Sequence, residues 1–220
     1  MKVFDDVVVA TDSAEVHEVC RRLRADVVMT SATHASGTDR VAEVASAARY
    51  RDAAIIVNVQ GDEPLLDETH VRRCVDLVRS GWQVATCAAP FGVSDDADDP
   101  NAVKVVRTSA GRALYFTRAR APFRREDDPD SKQLETDLLL RHIGLYAYRR
   151  EALMEWVALP PSPLERLERL EQLRALEAGM PIGVAVVDEA APGVDTLSDV
   201  RAVEELLRAL KLPEVTDSSD

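Results

Sequence analysis

The sequence contains no stretch that approaches the ~18 consecutive apolar residues of a membrane-spanning helix. Its first residues, MKVFDDVVVATD, also lack the succession of basic, apolar and small residues that marks a secretory signal. These two absences predict that the chain has no membrane partner. We therefore expect the protein to be cytoplasmic.

Cysteine is scarce as well. The three cysteines, Cys20, Cys74 and Cys87, lie in helix-like or strand-like segments, and their spacing fits no metal site. We expect them to be buried free thiols in a reducing compartment. A role as metal ligand or nucleophile is the alternative.

Basic residues are outnumbered by acidic ones. The chain has 27 Lys and Arg against 39 Asp and Glu, which gives a net charge of −12 at pH 7. No basic patch is visible that could neutralise the phosphates of a nucleic acid, so we do not expect nucleic acid as a partner. A nucleotide substrate is still compatible with this composition, because a local site can be basic or can use a divalent cation.

What the sequence does contain is an alternation of short β-branched runs with amphipathic segments. This alternation is typical of βαβ units and predicts an α/β fold with a mostly parallel sheet. We expect strands over residues 6–11, 26–30, 54–60, 141–148 and 182–189, and helices that include 40–48 and 66–78. A length of 220 residues and a hydrophobic content of 46% suit one domain over 1–220 with a sizeable core.

The middle of the chain follows a different pattern. Over 84–140, strand-like pieces follow one another with short turns, which predicts an antiparallel excursion from the sheet. The charged stretch 124–137 has no periodicity, and we expect a mobile loop there, with a lid as the alternative. A cap at Ser162 predicts one long helix that ends near Ala178. The acidic end, 211–220, is expected to be disordered.

Acidic residues follow two strongly apolar strands. The segment VNVQGDEPLLD places Asp62 beside a glycine directly after the 54–60 strand, and Asp195 stands in PGVDT after the last strand. Ligands of doubly wound sheets bind at the carboxyl ends of the strands. Two converging carboxylates there make a hard-oxygen site suited to Mg²⁺, which keeps several waters and binds substrate phosphates. The alternative is that both acids belong to turns or helix caps.

A second group of polar residues suits a ligand rich in hydroxyl groups. His142 and Tyr146 share one face of a strand and would line a sugar pocket, with a hydrogen-bonded structural histidine as the alternative. Glu168, Glu171 and Gln172 lie within one helical turn and would present acceptors to hydroxyl groups. A solvated helix face is the alternative for these three.

Taken together, these stretches resemble one family, the cytidylyltransferases that activate 3-deoxy-manno-octulosonate (Kdo). The matching pieces are collinear over almost the whole chain: VVVATD (7–12), SGTDRVAEVA (36–45), VNVQGDEPLL (57–66), NAVKVV (101–106), ALYFTRA (113–119), RHIGLYAYRREAL (141–153), PPSPLERLERLEQLRALE (160–177) and VAVVDEAAPGVDT (184–196). The resemblance implies a Rossmann-like nucleotide-diphospho-sugar transferase fold. It also implies a homodimer formed through 84–140 and its flanking helices.

The family resemblance implies a reaction as well. CTP and Kdo would give CMP-Kdo and pyrophosphate with Mg²⁺ as cofactor, the activation step before Kdo enters lipopolysaccharide. The anomeric hydroxyl of the sugar acid attacks the α-phosphate, so the enzyme must align the two groups and neutralise growing phosphate charge.

Roles follow from position in the matching motifs. Asp62 and Asp195 correspond to the catalytic carboxylates that hold Mg²⁺ in the family. Arg118, in YFTR, is the candidate partner of the sugar carboxylate, and Ser36 and Arg40 fall where the family contacts the cytosine ring. The residues that correspond to the sugar-acid pocket are Gln60, His142, Tyr146, Glu171 and Gln172.

One family motif has no counterpart in this sequence. Family members begin with a strand followed by a P-A-R-x-x-S-x-R-L-P-x-K-P-L loop, whose Arg and Lys grip the triphosphate, and nothing here matches it. We therefore expect a Kdo cytidylyltransferase, or an N-terminally incomplete form of it. The alternatives are a non-catalytic sugar-binding or scaffold homologue, or a cytidylyltransferase for another 2-keto sugar acid.

Overall fold

The structure is a computed structural model that describes residues 4–92, 95–194 and 196–209. In chain order its elements are β1 (Val9–Thr11), α1 (Ala14–Arg22), β2 (Val27–Met29), α2 (Gly37–Ser46), β3 (Ile55–Val59), α3 (Glu68–Arg79), β4 (Val84–Pro90), β5 (Lys104–Arg107), β6 (Ala113–Thr117), α4 (Pro129–Leu138), β7 (Leu140–Arg149), α5 (Arg150–Ala158), α6 (Pro163–Glu168), α7 (Gln172–Glu177), β8 (Ile182–Val186) and α8 (Leu197–Ala209). None of these helices is long and apolar enough to cross a membrane.

The described residues fall into two compact units. The first consists of residues from 1–53, 61–65 and 192–220, and the second of residues from 54–60 and 66–191. The predicted single domain over 1–220 and the dimerisation region at 84–140 stay predictions. The predicted disordered tail, 211–220, lies outside the described residues.

The first unit contains a pair of parallel strands, each followed by a helix. β1 pairs with β2 in a register that sets Val9 opposite Val27. α1 begins after Ser13 and α2 after Ser36, and each serine caps its helix through the side-chain oxygen. The carboxyl ends of β1 and β2 therefore lie side by side, and each leads towards a capped helix.

The second unit contains a mixed six-stranded sheet centred on β7. One edge of β7 pairs antiparallel with β4 along residues 140–148. Its other edge is shared, because β3 pairs with residues 145–149 and β5 pairs at Arg141. β6 lies antiparallel beside β5, and β8 lies parallel to β4. One long strand thus joins three others.

The core of the second unit lies on β4 and β7. All β4 residues from Val84 to Ala89 are buried. On β7, Leu145 and Tyr148 are fully buried, and Tyr148 packs edge-on against Trp156 of α5 with ring centroids 5.7 Å apart. Burial of large side chains such as these contributes about 1.5–3 kcal/mol each. The strand β7, which carries the predicted pocket residues His142 and Tyr146, is therefore part of this core.

The predicted α/β class is confirmed. The strand expected over 54–60 and the helix expected over 66–78 are present as β3 and α3. Parallel pairing joins β1 to β2 and β4 to β8, whereas the other strand pairs are antiparallel. Within 84–140, β5 and β6 form an antiparallel pair, and β4 lies between β7 and β8.

The prediction of an irregular loop over 124–137 is wrong for its second part, which forms α4. Asp128 caps this helix through its carboxylate. Glu135 in α4 then forms ion pairs with Arg120 and Arg124, at 2.6 and 2.8 Å. The helix contains no fully buried residue. Periodicity could not reveal it, because a cap and ion pairs hold it in place of an apolar stripe.

The single long helix expected after Ser162 is also wrong, because the segment is broken into α6 and α7. Arg169 ends α6 in the left-handed conformation, with a φ of 56°. The capping box at the start is confirmed, since Ser162 and Glu165 exchange side-chain-to-backbone hydrogen bonds. At the other end, Arg118 donates from Nε to the Glu168 carbonyl at 2.8 Å. A tertiary contact therefore provides the hydrogen bond for a backbone carbonyl at the end of α6, and the local sequence could not indicate it.

Candidate active site

The predicted site residues divide between the two units. The first unit holds Ser36, Arg40 and Asp62, and the second holds Gln60, Arg118, His142, Tyr146, Glu171 and Gln172. Asp195 lies outside the described residues. Each group is therefore considered within its own unit.

Arg40 joins the carboxyl ends of β1 and β2. Its guanidinium hydrogen-bonds the hydroxyl of Thr30, which follows β2. It also forms an ion pair with Asp12, which follows β1, with Nη2 and Oδ2 3.2 Å apart. These two contacts leave several of its five N–H donors for a ligand. A positively charged donor group thus stands at the strand ends, where open α/β sheets bind ligands.

Ser36 is the cap of α2. Its Oγ accepts a hydrogen bond from the Asp39 amide at 3.1 Å and donates to the Asp39 carboxylate at 2.8 Å. This arrangement fixes the start of the helix that carries Arg40. The contact of Ser36 with a cytosine ring stays a prediction.

Glu43 anchors the polar loop between β2 and α2. Its carboxylate accepts from the Ser31 amide at 3.0 Å and forms a short contact with Nε2 of His34. The hydrogen bond from Ser31, followed by that from His34, holds the pKa of the Glu43 carboxyl below its ordinary value. Sequence reasoning missed this pair because irregular loops carry no periodic signal.

Asp62 lies exposed where two loops meet. Its backbone carbonyl accepts a hydrogen bond from the Val194 amide at 2.8 Å. The same carbonyl lies 3.3 Å from the position that a Cβ on Gly193 would take, so the glycine permits the close approach. The GDEP loop and the PGVD loop are therefore in contact through Asp62 and Val194, and Val194 directly precedes Asp195 in the chain.

The helix-cap alternative does not describe Asp62. The cap of α3 is Asp67, whose carboxylate accepts from the Thr69 amide at 2.6 Å. Hydrogen bonds from Thr69 hold the pKa of the Asp67 carboxyl below its ordinary value. At the start of α8, Thr196 and Asp199 exchange hydrogen bonds between backbone amides and side-chain oxygens. The start of α3 is thus capped by Asp67 and not by Asp62, and the hydrogen bonds at the start of α8 come from Thr196 and Asp199.

The surroundings of Asp62 fit a magnesium site of the open kind. Over 4–92, 95–194 and 196–209, no group of three or more His, Cys, Asp or Glu residues could hold a metal ion. Mg²⁺ does not need such a group, because one or two carboxylates commonly bind it together with waters and substrate phosphates. The exposed Asp62 carboxylate suits this mode of binding, and its role as a ligand of Mg²⁺ stays a prediction.

His142 and Tyr146 lie side by side on β7, with ring centroids 5.3 Å apart. Phe116 of β6 packs edge-on against His142 at 5.2 Å, and Trp156 packs edge-on against Tyr146 at 6.1 Å. Burial in this aromatic cluster lowers the pKa of His142 to about 3. The imidazole is therefore neutral near pH 7, and it acts as a hydrogen-bonding group and not as a cation.

The Tyr146 hydroxyl is buried without a hydrogen-bond partner among the residues that the structure describes. A buried polar atom left unpaired costs about 1–3 kcal/mol, so such atoms are rare and call for an explanation. Burial, followed by the charges of Tyr148 and Glu171, raises the pKa of Tyr146 well above its ordinary value. A bound hydroxyl or carboxylate would supply the missing partner.

Three further predicted pocket residues adjoin these aromatic side chains by chain position or backbone contact. The amide of Gln60 donates to the Gly144 carbonyl at 3.2 Å, midway between the two ring-bearing residues of β7. Gln172 is buried and is the first residue of α7, directly after Glu171. The backbone of Gln60 thus contacts β7 between His142 and Tyr146, and the formation of a sugar-acid pocket by these side chains stays a prediction.

Arg118 is engaged by the protein itself. Besides the Glu168 carbonyl, its guanidinium donates to the Pro100 carbonyl at 2.8 Å, and its backbone amide donates to the Glu168 carboxylate at 2.9 Å. These contacts anchor the end of α6 against the segment that directly follows β6. Its contact with a sugar carboxylate stays a prediction and would use the remaining guanidinium N–H groups.

One contact of His142 could not be predicted from the sequence. Thr86 of β4 places its Oγ 2.9 Å from Nε2 of His142. In the sequence, Thr86 stands inside the buried run VATCAA and is indistinguishable from a core residue. Only the register of β4 against β7 could have identified it.

Comparison with known proteins adds to this geometry. Residues 1–182 match the protein family described as Cytidylyltransferase. The chain belongs to the cytidylyltransferase family. It is therefore a nucleotidyltransferase enzyme, and the predicted resemblance to the Kdo cytidylyltransferases is confirmed.

Several relatives are similar over most of their length. A 3-deoxy-manno-octulosonate cytidylyltransferase of Gemmatimonas aurantiaca is 47% identical over 199 residues, which cover 90% of this chain and 76% of the relative. The enzyme of the same name from Chromohalobacter salexigens is 49% identical over 209 residues, covering 91% and 80%. That of Herminiimonas arsenicoxydans is 48% identical over 200 residues, covering 90% and 80%.

Solved structures show the same fold. A CMP:2-keto-3-deoxy-manno-octonic acid synthetase complexed with CTP superposes with a TM-score of 0.81 at 35% identity, covering 93% of this chain and 81% of that one. The 4-diphosphocytidyl-2C-methyl-D-erythritol synthase of Anaerococcus prevotii superposes with a TM-score of 0.59 over 93% and 82% of the two chains. At 10% identity, this second likeness concerns the fold alone.

Proposed function

We propose that this chain transfers the CMP group of CTP to Kdo, giving CMP-Kdo and pyrophosphate. The observation that carries the proposal is an identity of 47% over 90% of the chain to a relative named for this activity. The structural likeness to a synthetase complexed with CTP supports the choice of nucleotide. Formation of CMP-Kdo as a precursor for lipopolysaccharide belongs to the same proposal.

The reaction requires alignment more than covalent chemistry from the protein. The anomeric hydroxyl of Kdo attacks the α-phosphorus of CTP, the bond from that phosphorus to the bridging oxygen breaks, and pyrophosphate leaves. Holding two reactants in line removes much of the entropic part of the barrier. The task of the protein residues is therefore to bind each substrate in a fixed orientation.

Arg40 and Ser36 form the proposed contact with the cytosine ring. Arg40 is held between Thr30 and Asp12, so its free N–H groups have a defined direction. Ser36 caps the helix on which Arg40 lies. The acceptor oxygen of a pyrimidine is a suitable partner for such fixed donors.

Asp62 and Asp195 are the proposed ligands of Mg²⁺. Bound Mg²⁺ would neutralise the negative charge that grows on the phosphates during transfer. The hydrogen bond from the Val194 amide to the Asp62 carbonyl supports this pairing, because it brings the two acid-bearing loops into contact. The exposed carboxylate of Asp62 is free to approach a metal bound to a nucleotide.

The sugar acid would bind along β7. His142 and Tyr146 supply neutral hydrogen-bonding groups in a wall of aromatic rings, which suits the hydroxyl groups and ring of a sugar. Glu171, Gln172 and Gln60 would add further polar contacts. Arg118 is the proposed partner of the sugar carboxylate.

A cytoplasmic homodimer completes the proposal. Free cysteines, two of them buried, agree with a reducing compartment. Three large apolar side chains in the 84–140 region are exposed by more than half, which suits a surface covered by a second copy: Leu114 at 56%, Phe123 at 82% and Leu134 at 58%. Sedimentation of Leu134→Asp should show a monomer, whereas Leu197→Asp, at an exposed position outside this region, should leave the dimer intact. If the wild type sediments as a monomer, the proposed homodimer is wrong.

The activity is tested by pyrophosphate release from CTP in the presence of Kdo and Mg²⁺. We expect release that depends on all three components and falls to background with UTP or with a chelator. A panel of other 2-keto sugar acids in the same assay measures selectivity. If pyrophosphate is released with another sugar acid and not with Kdo, that sugar acid is the substrate and the proposal for Kdo is wrong.

Calorimetry separates catalysis from mere binding. The proposed enzyme binds CTP with Mg²⁺ as well as Kdo. A protein that binds Kdo but neither binds CTP nor releases pyrophosphate is a sugar-binding or scaffold homologue, and this outcome overturns the proposal.

A further inference from the structure

The hydroxyl of Thr86 is fixed by an irregularity of the sheet. The ladder between β4 and β7 shifts register between Thr86 and Cys87, opposite Gly144 and Leu145 of β7. At this shift the Thr86 hydroxyl donates to the Leu145 carbonyl at 2.7 Å. Thr86 is fully buried, so no solvent competes for this hydrogen bond.

Because the Thr86 hydroxyl donates its proton to Leu145, it determines which nitrogen of His142 is protonated. A hydroxyl has one proton to donate, and the carbonyl of Leu145 takes it. The Ile143 carbonyl is too far to compete at 3.5 Å. Towards Nε2 of His142, 2.9 Å away, the Thr86 oxygen can therefore only accept. The nitrogen opposite it must be the protonated one.

We propose that Thr86 is a positioning residue of the sugar-acid site, which holds neutral His142 as the Nε2–H tautomer and so makes Nδ1 a hydrogen-bond acceptor. Within the described part of the chain, no residue donates to that Nδ1. Its partner is a donor brought by the ligand.

This inference rests on the proposed function and specifies one contact within it. A nitrogen that only accepts cannot bind the carboxylate of a sugar acid, which also only accepts. It can bind a hydroxyl group of the sugar. Because burial lowers the pKa of His142 to about 3, the ring does not change into a double donor near neutral pH. His142 therefore selects a hydroxyl, and the carboxylate must be bound elsewhere.

The tautomer is measured on the protein without substrates. The chain has four histidines, and a His142→Gln variant identifies the signals of the fourth in a long-range ¹H–¹⁵N correlation spectrum of ¹⁵N-labelled protein. We expect the wild-type spectrum to show His142 with a protonated Nε2 and a bare Nδ1 at pH 7. A protonated Nδ1 overturns the inference, whether or not the protein turns over CTP and Kdo.

A matched pair of variants tests the role of Thr86. Thr86→Val keeps the shape and removes the hydroxyl, and we expect His142 to populate both tautomers. Thr86→Ser keeps the hydroxyl, and we expect it to retain the wild-type pattern. An unchanged tautomer in folded Thr86→Val overturns the inference.

Kinetics then separate positioning from a merely structural role. We expect Thr86→Val to raise KM for the sugar acid about two- to tenfold, the range that one hydrogen bond contributes, with little change in KM for CTP. Thr86→Ser should restore most of the loss. A rise in both KM values, or a rise without a tautomer change, indicates general distortion and contradicts the inference. Failure of the proposed function would instead appear as absent turnover in the wild type with its tautomer intact.

Discussion

Arg174 and Glu165 form a buried, two-pronged ion pair that joins α7 to the capping box of α6. Nε and Nη2 of Arg174 lie 2.8 and 2.5 Å from the two carboxylate oxygens of Glu165. Only 6% and 12% of the two side chains are exposed. Burial raises the pKa of the Glu165 carboxyl, but the hydrogen bonds from Arg174 and the Ser162 amide outweigh it, so the pKa lies below its ordinary value. The pair therefore fixes the helix that begins directly after Glu171.

Arg174→Met should lower the free energy of unfolding by about 3 kcal/mol, because removal of one partner leaves a buried charge without compensation. Urea denaturation at pH 7 measures the change. Arg208→Ala breaks the exposed pair with Glu204, in which the arginine is 74% exposed. It should cost no more than about 0.5 kcal/mol. Equal losses in the two variants contradict the importance of burial.

Asp62→Ala should reduce turnover at least about 100-fold, the scale of losing a group that stabilises transition-state charge, and leave stability nearly unchanged. The interloop hydrogen bond uses the Asp62 carbonyl, which the substitution keeps. Asp67→Ala, five residues further on, should do the reverse. It loses the cap of α3 and about 1 kcal/mol of stability, but it should keep turnover.

Pyrophosphate release and thermal unfolding of the two variants give the comparison. Unfolded Asp62→Ala, or full activity of folded Asp62→Ala, contradicts the metal-ligand role. The pair is informative because both acids belong to the stretch VNVQGDEPLLD, in which sequence alone could not tell ligand from cap.

His142 should make the protein less stable in mild acid. Its pKa is about 3 in the folded state against an ordinary value of 6.5, so between these values the unfolded state binds the proton more readily. The contribution of the neutral ring is complete above pH 6.5 and is lost as the pH falls towards 3. At pH 4.5 this loss should reach about 2 kcal/mol, at ~1.4 kcal/mol per pKa unit and with part of the ring still accessible.

Denaturant unfolding of wild type and His142→Gln at pH 7 and pH 4.5 isolates this contribution, because the carboxyl groups titrate alike in both. The wild type should lose more stability than the variant. Parallel losses show that His142 is not held neutral by burial.

Gly183→Ala should disrupt the packing of β8 on Trp82. A Cβ at this position would lie 2.7 Å from Cδ2 of the indole ring, closer than packed carbon atoms allow. We expect the free energy of unfolding to fall by about 1–3 kcal/mol, as in other overpacked cores. Gly37→Ala is the control, since nothing lies within 4 Å of its Cβ position. If Gly183→Ala and Gly37→Ala change the free energy of unfolding equally, Gly183 is not in close contact with Trp82.

Local signals in the sequence were sufficient for much of the fold. The run Ile55–Val59 was predicted from its continuous apolar residues, and the box at Ser162 from residue spacing. α4 and the break at Arg169 were not predictable in this way. They depend on Glu135 and Arg118, whose partners are distant in the chain.

The site shows the same division. Alternation on β7 correctly paired His142 with Tyr146. The meeting of the loops at Asp62 was expected because both loops follow apolar strands, but the hydrogen bond to Val194 that joins them is a tertiary feature. Thr86 could not be found at all, because its contact depends on a register shift between two strands.

The double pairing of β7 has a consequence for how the protein treats different sugars. A strand bonded along both edges opens only with the whole sheet, so its amides should exchange with solvent among the slowest in the molecule. His142 and Tyr146, the proposed contacts of the sugar acid, are therefore held on a strand that we expect to be rigid. If the sugar acid binds there as proposed, an analogue with a misplaced hydroxyl should fail to bind, because the strand cannot shift to accommodate it.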